Sequence, residues 1–201
     1  MPIENGKQVE VIDKETPFKG YFQINRYTLR HEQFGGGMGP EITREIFERG
    51  HAASVVPYDP IRDQIVMIEQ FRPGAYAAGS SNPWMIEVVA GIIEAGETAE
   101  DVCRREVVEE AGIEIRSLHH LATHYMTPGG STESMAMHVG SCDSEGVGGI
   151  HGLADEGEDI RVFVLPRKEA LDLVHRNEIQ NAMTALNLLL FEQMRPSLHF
   201  D

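Results

Sequence analysis

The sequence is poor in cysteine and in basic residues, and it has no long apolar run. Cys103 and Cys142 are too few for a disulfide framework or a zinc site, so we expect a reducing, cytoplasmic location. The 17 basic residues against 32 acidic ones give a formal net charge of −15, which argues against binding a nucleic-acid backbone through a basic surface. No apolar run approaches about 18 residues, and the N-terminus lacks the pattern of a secretion signal, so neither a membrane span nor export is expected.

The length and composition of the chain fit one globular domain with a small appended element. A length of 201 residues and a hydrophobic fraction of 41% are sufficient for one core. Two strands are predicted before residue 33, over 8–12 and 21–30, joined by a turn at 17–20. A glycine cluster follows at 35–40, and 41–49 fits a helix or a strand, of which we prefer the strand. We therefore divide the chain into an N-terminal β element over residues 1–49 and a main domain over 50–201.

The main domain is predicted to mix strands with a few helices. A hairpin of 51–57 and 64–72 precedes a loop at 73–83. A single buried strand is predicted over 84–90, and further strands over 114–125, 134–142 and 160–165. An acidic, glycine-rich loop covers 144–158. Two helices, over 167–176 and 179–194, close the chain. With one central helix near residue 100, this order predicts an α+β fold, an α/β/α sandwich around a mixed sheet.

The most informative stretch is 91–113, a glycine-containing turn followed by a helix. Thr98 and Asp101 have the spacing of a capping box, and Gly112 is a natural C-terminal stop. On a helix of about 3.6 residues per turn, Glu106 and Glu110 lie one turn apart on the same side. A stripe of Cys103, Val107 and Ala111 adjoins them and predicts the buried face.

Three carboxylates on one side of a helix repel one another unless a cation joins them. Glu109 lies beside Glu106, and Arg105 can offset only part of the charge. A hard divalent cation such as Mg²⁺ or Mn²⁺ prefers oxygen ligands and would neutralise the group. The glutamates alone would equally fit a solvated acidic face.

The complete pattern decides between these two interpretations. The stretch satisfies G-x5-E-x7-R-E-U-x-E-E-x-G-U, in which U is apolar, at Gly91, Glu97, Arg105, Glu106, Val107, Glu109, Glu110, Gly112 and Ile113. It resembles a complete Nudix box. The resemblance implies the Nudix α/β/α sandwich, metal binding by Glu106, Glu109, Glu110 and the backbone carbonyl of Ala90, and a supporting ion pair between Glu97 and Arg105.

Glutamates that bind a cation are poor bases because the cation lowers their proton affinity, so a separate general base is expected. The acidic loop after residue 148 offers candidates, although a merely solvated loop would fit equally well. Three segments, 149–161, 44–53 and 68–72, and the single residue Pro128 resemble bacterial ADP-ribose pyrophosphatases more closely than the wider family. This resemblance implies that Glu156 is the general base, in a loop that closes on the substrate, and that Glu158 is a further metal ligand.

The same resemblance, which runs from about residue 15 to residue 190, implies the substrate and the assembly. It predicts Mg²⁺-dependent hydrolysis of ADP-ribose to AMP and ribose 5-phosphate, with Mn²⁺ as a substitute, by a homodimer that exchanges its N-terminal strands and shares its active sites. The implied substrate-binding positions are Tyr21, Phe22, Arg44, Glu45, Arg49, Arg72, Ile92, Thr127, Pro128, Gly129 and Glu133.

Three other functions fit the sequence less well. Related dimeric Nudix enzymes hydrolyse other nucleoside diphosphate sugars such as GDP-mannose. The segments 34–40 and 73–83 differ in length and glycine content from the ADP-ribose enzymes, which affects the expected boundary of the substrate pocket and not the reaction. A non-catalytic Nudix ligand sensor is disfavoured by the intact box and the negative charge. A P-loop NTPase is excluded because the sequence contains no G-x-x-x-x-G-K-[ST].

Overall fold

The computed structural model describes residues 6–200; residues 1–5, which include most of the segment assessed for a secretion signal, and residue 201 lie outside it. The described chain forms two compact units. The first contains the residues up to Gly50 together with Tyr125–Glu133, and the second contains His51–His124 and the chain from Ser134 onward. No helix among the described residues is long and apolar enough to cross a membrane.

The first unit is built on a three-stranded antiparallel sheet of β1 (Val9–Lys19), β2 (Gln23–His31) and β3 (Ile42–Glu48), in that order. The preferred strand over 41–49 is therefore confirmed. Strand β1 is longer than predicted because it continues through Pro17, and the pairing with β2 shifts register between Glu15 and Phe18. Proline cannot donate a ladder hydrogen bond, so it is tolerated where such an irregularity leaves its position unpaired.

The second unit contains an eight-stranded mixed sheet. Its strands are β4 (Ala52–Asp59), β5 (Gln64–Phe71), β6 (Trp84–Glu87), β7 (Val89–Ile92), β8 (Leu118–Tyr125), β9 (Ser134–Ser141), β10 (Gly149–His151) and β11 (Ile160–Pro166). The main order is β10-β11-β5-β4-β9-β8, while β6 pairs with β5 and β7 pairs with β4. Strands β4 and β9 run parallel, and the predicted β4–β5 hairpin is confirmed.

Four helices accompany this sheet: α1 (Pro73–Ala77), α2 (Ala99–Ala111), α3 (Arg167–His175) and α4 (Ala182–Met194). The predicted stripe of α2 is buried and joins Val55 and Val66 of the sheet in one apolar cluster. Phe191 of α4 is also fully buried. The predicted α+β class with a mixed central sheet and a small N-terminal antiparallel sheet is confirmed.

The predicted single buried strand over 84–90 was wrong in two respects. It is divided into β6 and β7, and Trp84 is 53% exposed. The division falls at Val88, whose backbone N–H donates to the hydroxyl of Thr184 in α4 (3.2 Å). A side chain from a helix distant in sequence therefore replaces the ladder hydrogen bond at this position, which no local pattern encodes.

Several predicted boundaries of helices and loops also differ from those in the structure. The predicted loop at 73–83 begins with α1, because proline is well suited to the first position of a helix. The last helix begins after Asn181 rather than at Ile179, since the Asn181 side chain accepts the N–H of Thr184 (3.1 Å) as an N-cap. The predicted acidic loop contains β10 and a short 3-10 turn, Ala154–Glu156.

The loop between β4 and β5 is organised by a buried carboxylate. Asp59 accepts hydrogen bonds from the backbone N–H groups of Ile61 (2.9 Å), Arg62 (3.0 Å) and Ser144 (3.0 Å), from the Ser144 hydroxyl (2.7 Å) and from the Arg62 guanidinium (2.9 Å). Burial alone would raise the pKa of Asp59, but these donors outweigh it and hold the pKa well below its usual range.

We expect Asp59→Asn to lower the free energy of unfolding at pH 7 by about 2–4 kcal/mol, because the amide meets donors that prefer a carboxylate. Since the folded pKa is depressed, the stabilisation is present above the unfolded pKa of about 3.9 and is lost as the pH falls toward the folded value. Urea unfolding should therefore show a smaller difference at pH 3 than at pH 7. Asp143→Asn is the matched control: Asp143 also pairs with Arg62 but is half-exposed, and an equal loss there would contradict the prediction.

Candidate active site

The turn and helix that carry the glutamates are defined at both ends. At the start of α2, the Thr98 hydroxyl accepts the N–H of Asp101 (3.2 Å) and the Asp101 carboxylate accepts the N–H of Thr98 (2.9 Å). At the end, Gly112 adopts the left-handed conformation with φ 65°. The predicted capping box and glycine stop are both confirmed.

The buried stripe of α2 turns Glu106 and Glu110 toward β7. A Cβ placed on Gly91 would lie 1.7 Å from Oε1 of Glu106, so the carboxylate rests directly against the glycine backbone. One turn later, Oε2 of Glu110 lies 3.3 Å from the backbone N–H of Ala90. The two predicted ligands on α2 and the predicted carbonyl ligand on β7 are therefore neighbours.

The two glutamates are in an environment that disfavours their negative charge. Glu110 is only 3% exposed, and burial, with the charge of Glu106 added, raises its pKa to about 8. Burial also raises the pKa of Glu106 to about 7, although Arg105 opposes the shift. The charges of Glu109 and Glu158 raise it further. A cation at this position would offset the unfavourable charge of all four carboxylates.

Arg105 joins the turn to the acidic face. Its guanidinium donates to both oxygens of Glu97, from Nε (2.9 Å) and Nη2 (3.2 Å), so the predicted ion pair is present. Its Nη1 also donates to Oε1 of Glu106 (2.7 Å) and to Oε2 of Glu109 (3.0 Å). These contacts and the carboxylates together raise the pKa of Arg105 well above its usual range, with the Glu97 hydrogen bond as the largest cause.

The acidic loop is attached to the C-terminal end of α2. The N–H of Gly152 donates to the backbone carbonyl of Glu109 (3.3 Å), and a Cβ on Gly112 would lie 2.6 Å from Cε1 of His151. Within the loop, Oε2 of Glu158 accepts the N–H of Leu153 (3.0 Å). The negative charge of Glu158 contributes to the raised pKa of both Glu106 and Glu110. The assignment of Glu156 concerns a side chain outside the described part of the structure; its backbone ends the 3-10 turn.

The donor set fits a hard divalent cation. It consists of carboxylate oxygens and one backbone carbonyl, which are the ligands that Mg²⁺ and Mn²⁺ prefer. Among the side chains that the structure describes, which do not include that of Glu156, no three histidine, cysteine, aspartate or glutamate side chains surround a common point. Of the two Glu106 oxygens, Oε1 accepts from Nη1 of Arg105 (2.7 Å).

Glu87, which the sequence interpretation did not single out, lies at the end of β6. Its carboxylate receives the guanidinium of Arg72, a predicted substrate-binding residue. A signal was available in the sequence, because a glutamate in an otherwise apolar run is rarely buried without a partner. The other predicted position in this unit, Ile92, is the last residue of β7.

The remaining predicted substrate-binding residues belong to the first unit. Phe22 packs edge-on against Tyr21 (4.7 Å between ring centroids), and the Arg49 guanidinium lies 5.5 Å from the centroid of Phe22. Arg49 also pairs with Glu133 (3.0 Å). These four side chains are thus linked in one group, in which Tyr21 is almost fully exposed.

Other members of the predicted set lie on β3 and in the segment 127–129. Arg44 donates to the backbone carbonyl of its neighbour Thr43 (2.7 Å), and Glu45 pairs with Arg26 (2.9 Å). Thr127 begins a tight turn, because its carbonyl accepts from the N–H groups of Gly130 (3.0 Å) and Ser131 (2.9 Å). Pro128 and Gly129 are the central residues of that turn.

Comparison with known proteins agrees with this geometry. The NUDIX domain family matches residues 48–186. The chain is 47% identical over 189 residues to the ADP-ribose pyrophosphatase of Escherichia coli (strain K12), covering 94% of the chain and 90% of that protein. It is 37% identical over 184 residues to the ADP-ribose pyrophosphatase of Haemophilus influenzae, covering 90% and 85% respectively.

One more distant relative and one structurally similar protein were also found. The chain is 35% identical over 190 residues to the GDP-mannose pyrophosphatase of Escherichia coli O1:K1 / APEC, covering 94% of the chain and 96% of that protein. A crystal structure of an ADP compounds hydrolase superimposes with a TM-score of 0.71 at 20% identity, covering 94% of this chain and 96% of that one, which supports the fold alone. The chain therefore belongs to the Nudix family and is a Nudix hydrolase.

Proposed function

We propose that the chain hydrolyses the diphosphate of ADP-ribose, yielding AMP and ribose 5-phosphate, with Mg²⁺ as the cofactor and Mn²⁺ as a substitute. The observation that carries this proposal is the buried pair Glu106 and Glu110 against β7, on a complete Nudix box. Nudix hydrolases generally use divalent metal ions. The choice of ADP-ribose is supported by the 47% identity to an ADP-ribose pyrophosphatase against 35% to a GDP-mannose pyrophosphatase.

Each box residue has a distinct part in this proposal. Glu106, Glu109, Glu110, Glu158 and the carbonyl of Ala90 would hold the metal. When bound, the metal neutralises charge on the diphosphate and polarises a phosphoryl oxygen. Arg105 and Glu97 hold the turn on the helix. Arg105 also shields Glu106 and Glu109 from mutual repulsion.

The proposed general base is Glu156. As general base it would take a proton from the water that attacks the diphosphate. The contacts of Gly152 and His151 with the end of α2 support this role, because they anchor the loop that carries Glu156 beside the acidic face. The glycine-rich loop can then adjust to substrate without leaving the site.

We also propose a cytoplasmic homodimer in which residues 1–49 are exchanged. All eleven residues of β1 are exposed, and they include the apolar Val9, Val11 and Phe18 among charged residues. A long exposed edge strand that carries such apolar side chains favours a partner. In this arrangement the linked group of Tyr21, Phe22, Arg49 and Glu133 would contact the nucleotide bound by the partner subunit. The other contacts assigned to the substrate are Arg44, Glu45, Arg72, Ile92, Thr127, Pro128 and Gly129. Light scattering should give twice the chain mass.

The substrate assignment is tested with a panel of nucleoside diphosphate sugars. ADP-ribose and GDP-mannose are incubated with the protein and Mg²⁺, and the products are separated by chromatography. We expect AMP and ribose 5-phosphate, and a kcat/KM for ADP-ribose at least about tenfold above that for GDP-mannose. A preference for GDP-mannose would instead support the GDP-mannose pyrophosphatase activity of the more distant relative. Ligand binding without turnover would favour the sensor.

We expect Gly91→Ala to lower kcat/KM by about 10–100-fold, because the new methyl group would occupy the position of the Glu106 carboxylate and displace it. The fold should survive, since the atoms in the way belong to the end of a flexible side chain. Gly74→Ala is the control, because no atom lies within 4 Å of its added Cβ. Equal activity of both variants would show that the contact between Gly91 and Glu106 is unimportant.

A further inference from the structure

Glu87 is a carboxylate at the centre of the second unit that the box does not explain. It is 0% exposed, at the end of β6, where it is paired in register with Ile68 of β5. A buried carboxylate is costly unless its charge is paired and its oxygens accept hydrogen bonds. The residues that contact Glu87 therefore show how its buried charge is stabilised.

Three residues, Arg72, Asn181 and Gln70, supply those contacts. Nε of Arg72 lies 3.1 and 2.9 Å from the two carboxylate oxygens, and Nη2 lies 2.6 Å from Oε2. Nδ2 of Asn181 donates to Oε1 (2.5 Å), and Nε2 of Gln70 lies 3.4 Å from Oε2. Because Asn181 also caps α4, the position of the carboxylate is set by β5, β6 and the start of α4 together.

Arg72 is held by one edge only. Its backbone N–H donates to the carbonyl of Pro83 (2.9 Å), and Glu87 receives Nε and Nη2. Among the hydrogen bonds of the described residues, none uses Nη1, and the side chain is 41% exposed. A planar guanidinium gripped on one edge presents its other edge in a fixed direction.

The guanidinium of Arg72 also interacts with the charges of the proposed metal ligands. Burial lowers the pKa of Arg72, but its hydrogen bonds and charge interaction with Glu87 raise it, and the charges of Glu110 and Glu158 add to the rise. The Arg72 guanidinium therefore pairs directly with the buried Glu87, and the charges of Glu110 and Glu158 also act on it.

We propose that Glu87 is a positioning residue: it holds the Nε–Nη2 edge of Arg72 so that Nη1 faces the diphosphate of the substrate. This inference rests on the proposed function. Without Glu87, Arg72 would be free to turn toward Glu110 and Glu158, where it would compete for their oxygens instead of binding phosphate. A purely structural ion pair would affect stability and leave the kinetics unchanged.

The test compares Glu87→Gln, Arg72→Lys and the double variant with ADP-ribose as substrate. Glu87→Gln keeps the size of the side chain but removes its charge, so we expect kcat/KM to fall by about 10–100-fold, mainly through KM. The double variant should be no worse than Arg72→Lys alone, since Glu87 acts through Arg72. Additive losses, or a lower melting temperature with wild-type kinetics, would overturn the proposal.

Two further variants keep the outcome interpretable. Glu69 lies in the same sheet and pairs with Arg161 (2.6 Å). Glu69→Gln removes this charge, and its kcat/KM should stay within about twofold of wild type. If Glu87→Gln does not fold, Glu87→Asp keeps the charge but shortens the reach to Arg72, and the same rise in KM is expected. If the unmodified protein does not hydrolyse ADP-ribose, the proposed function fails; if only the Glu87 variants behave as wild type, this inference alone fails.

Discussion

Glu156→Gln should lower kcat for ADP-ribose by about 10²–10⁴-fold while leaving KM within about threefold. The glutamine keeps the shape of the side chain but cannot accept a proton from water. The box glutamates cannot replace it, because a bound cation withdraws the electron density that a base requires. Steady-state kinetics at saturating Mg²⁺ measure both constants.

The control for Glu156 is the adjacent exposed acid. Asp155→Asn removes the same charge from the same turn, so it should change kcat by less than about threefold. If Glu156→Gln retains near-wild-type turnover, the base lies elsewhere. A larger loss in Asp155→Asn than in Glu156→Gln would transfer the role to Asp155.

Glu110→Gln has the second-largest expected effect, a fall in kcat/KM of about 10²–10³-fold with a higher Mg²⁺ requirement. Glu110 is the most buried of the proposed ligands, and its Oε2 accepts the backbone N–H of Ala90. The glutamine side chain is neutral, so it cannot supply the negative charge that binds the cation. The fold should persist because glutamine has nearly the same shape. Mg²⁺ titration of the rate and calorimetric Mn²⁺ binding would both show the change.

Glu100→Gln is the matched variant for Glu110, since Glu100 is an exposed acid in the first turn of the same helix. It should leave the Mg²⁺ dependence within about twofold of wild type. An unchanged Mg²⁺ titration in Glu110→Gln would remove this residue from the metal site. The assignment of Glu106 would then have to be tested independently.

Much of the second unit could be predicted because its signals are local. The capping box of Thr98 and Asp101, the glycine stop at Gly112 and the buried stripe of α2 each depend on residues within a few positions of one another. The α+β class followed from the order of strands and helices. Local hydrogen bonds and helical periodicity determine such features, and distant parts of the chain seldom override them.

The errors arose where distant segments intervene. Strand β1 continues through Pro17 because its pairing with β2 shifts register there, and the break at Val88 exists because Thr184 accepts its N–H. The helix start after Asn181 was missed for a related reason. The Asn181 side chain accepts the N–H of Thr184 and donates to the carboxylate of Glu87. Only the second contact depends on the packing of the helix against the sheet.

By itself the sequence determined the identity of the acidic helix and its spacing, because Glu106 and Glu110 share a side of any α-helix. It also carried the resemblance that implies the chemistry. Only the tertiary structure decided that Glu106 rests against Gly91, that Arg105 bridges Glu97 to two box glutamates, and that Glu87 holds Arg72. These contacts join residues on different elements, so they form only when the sheet and α2 pack together and bury the charges that must then be paired.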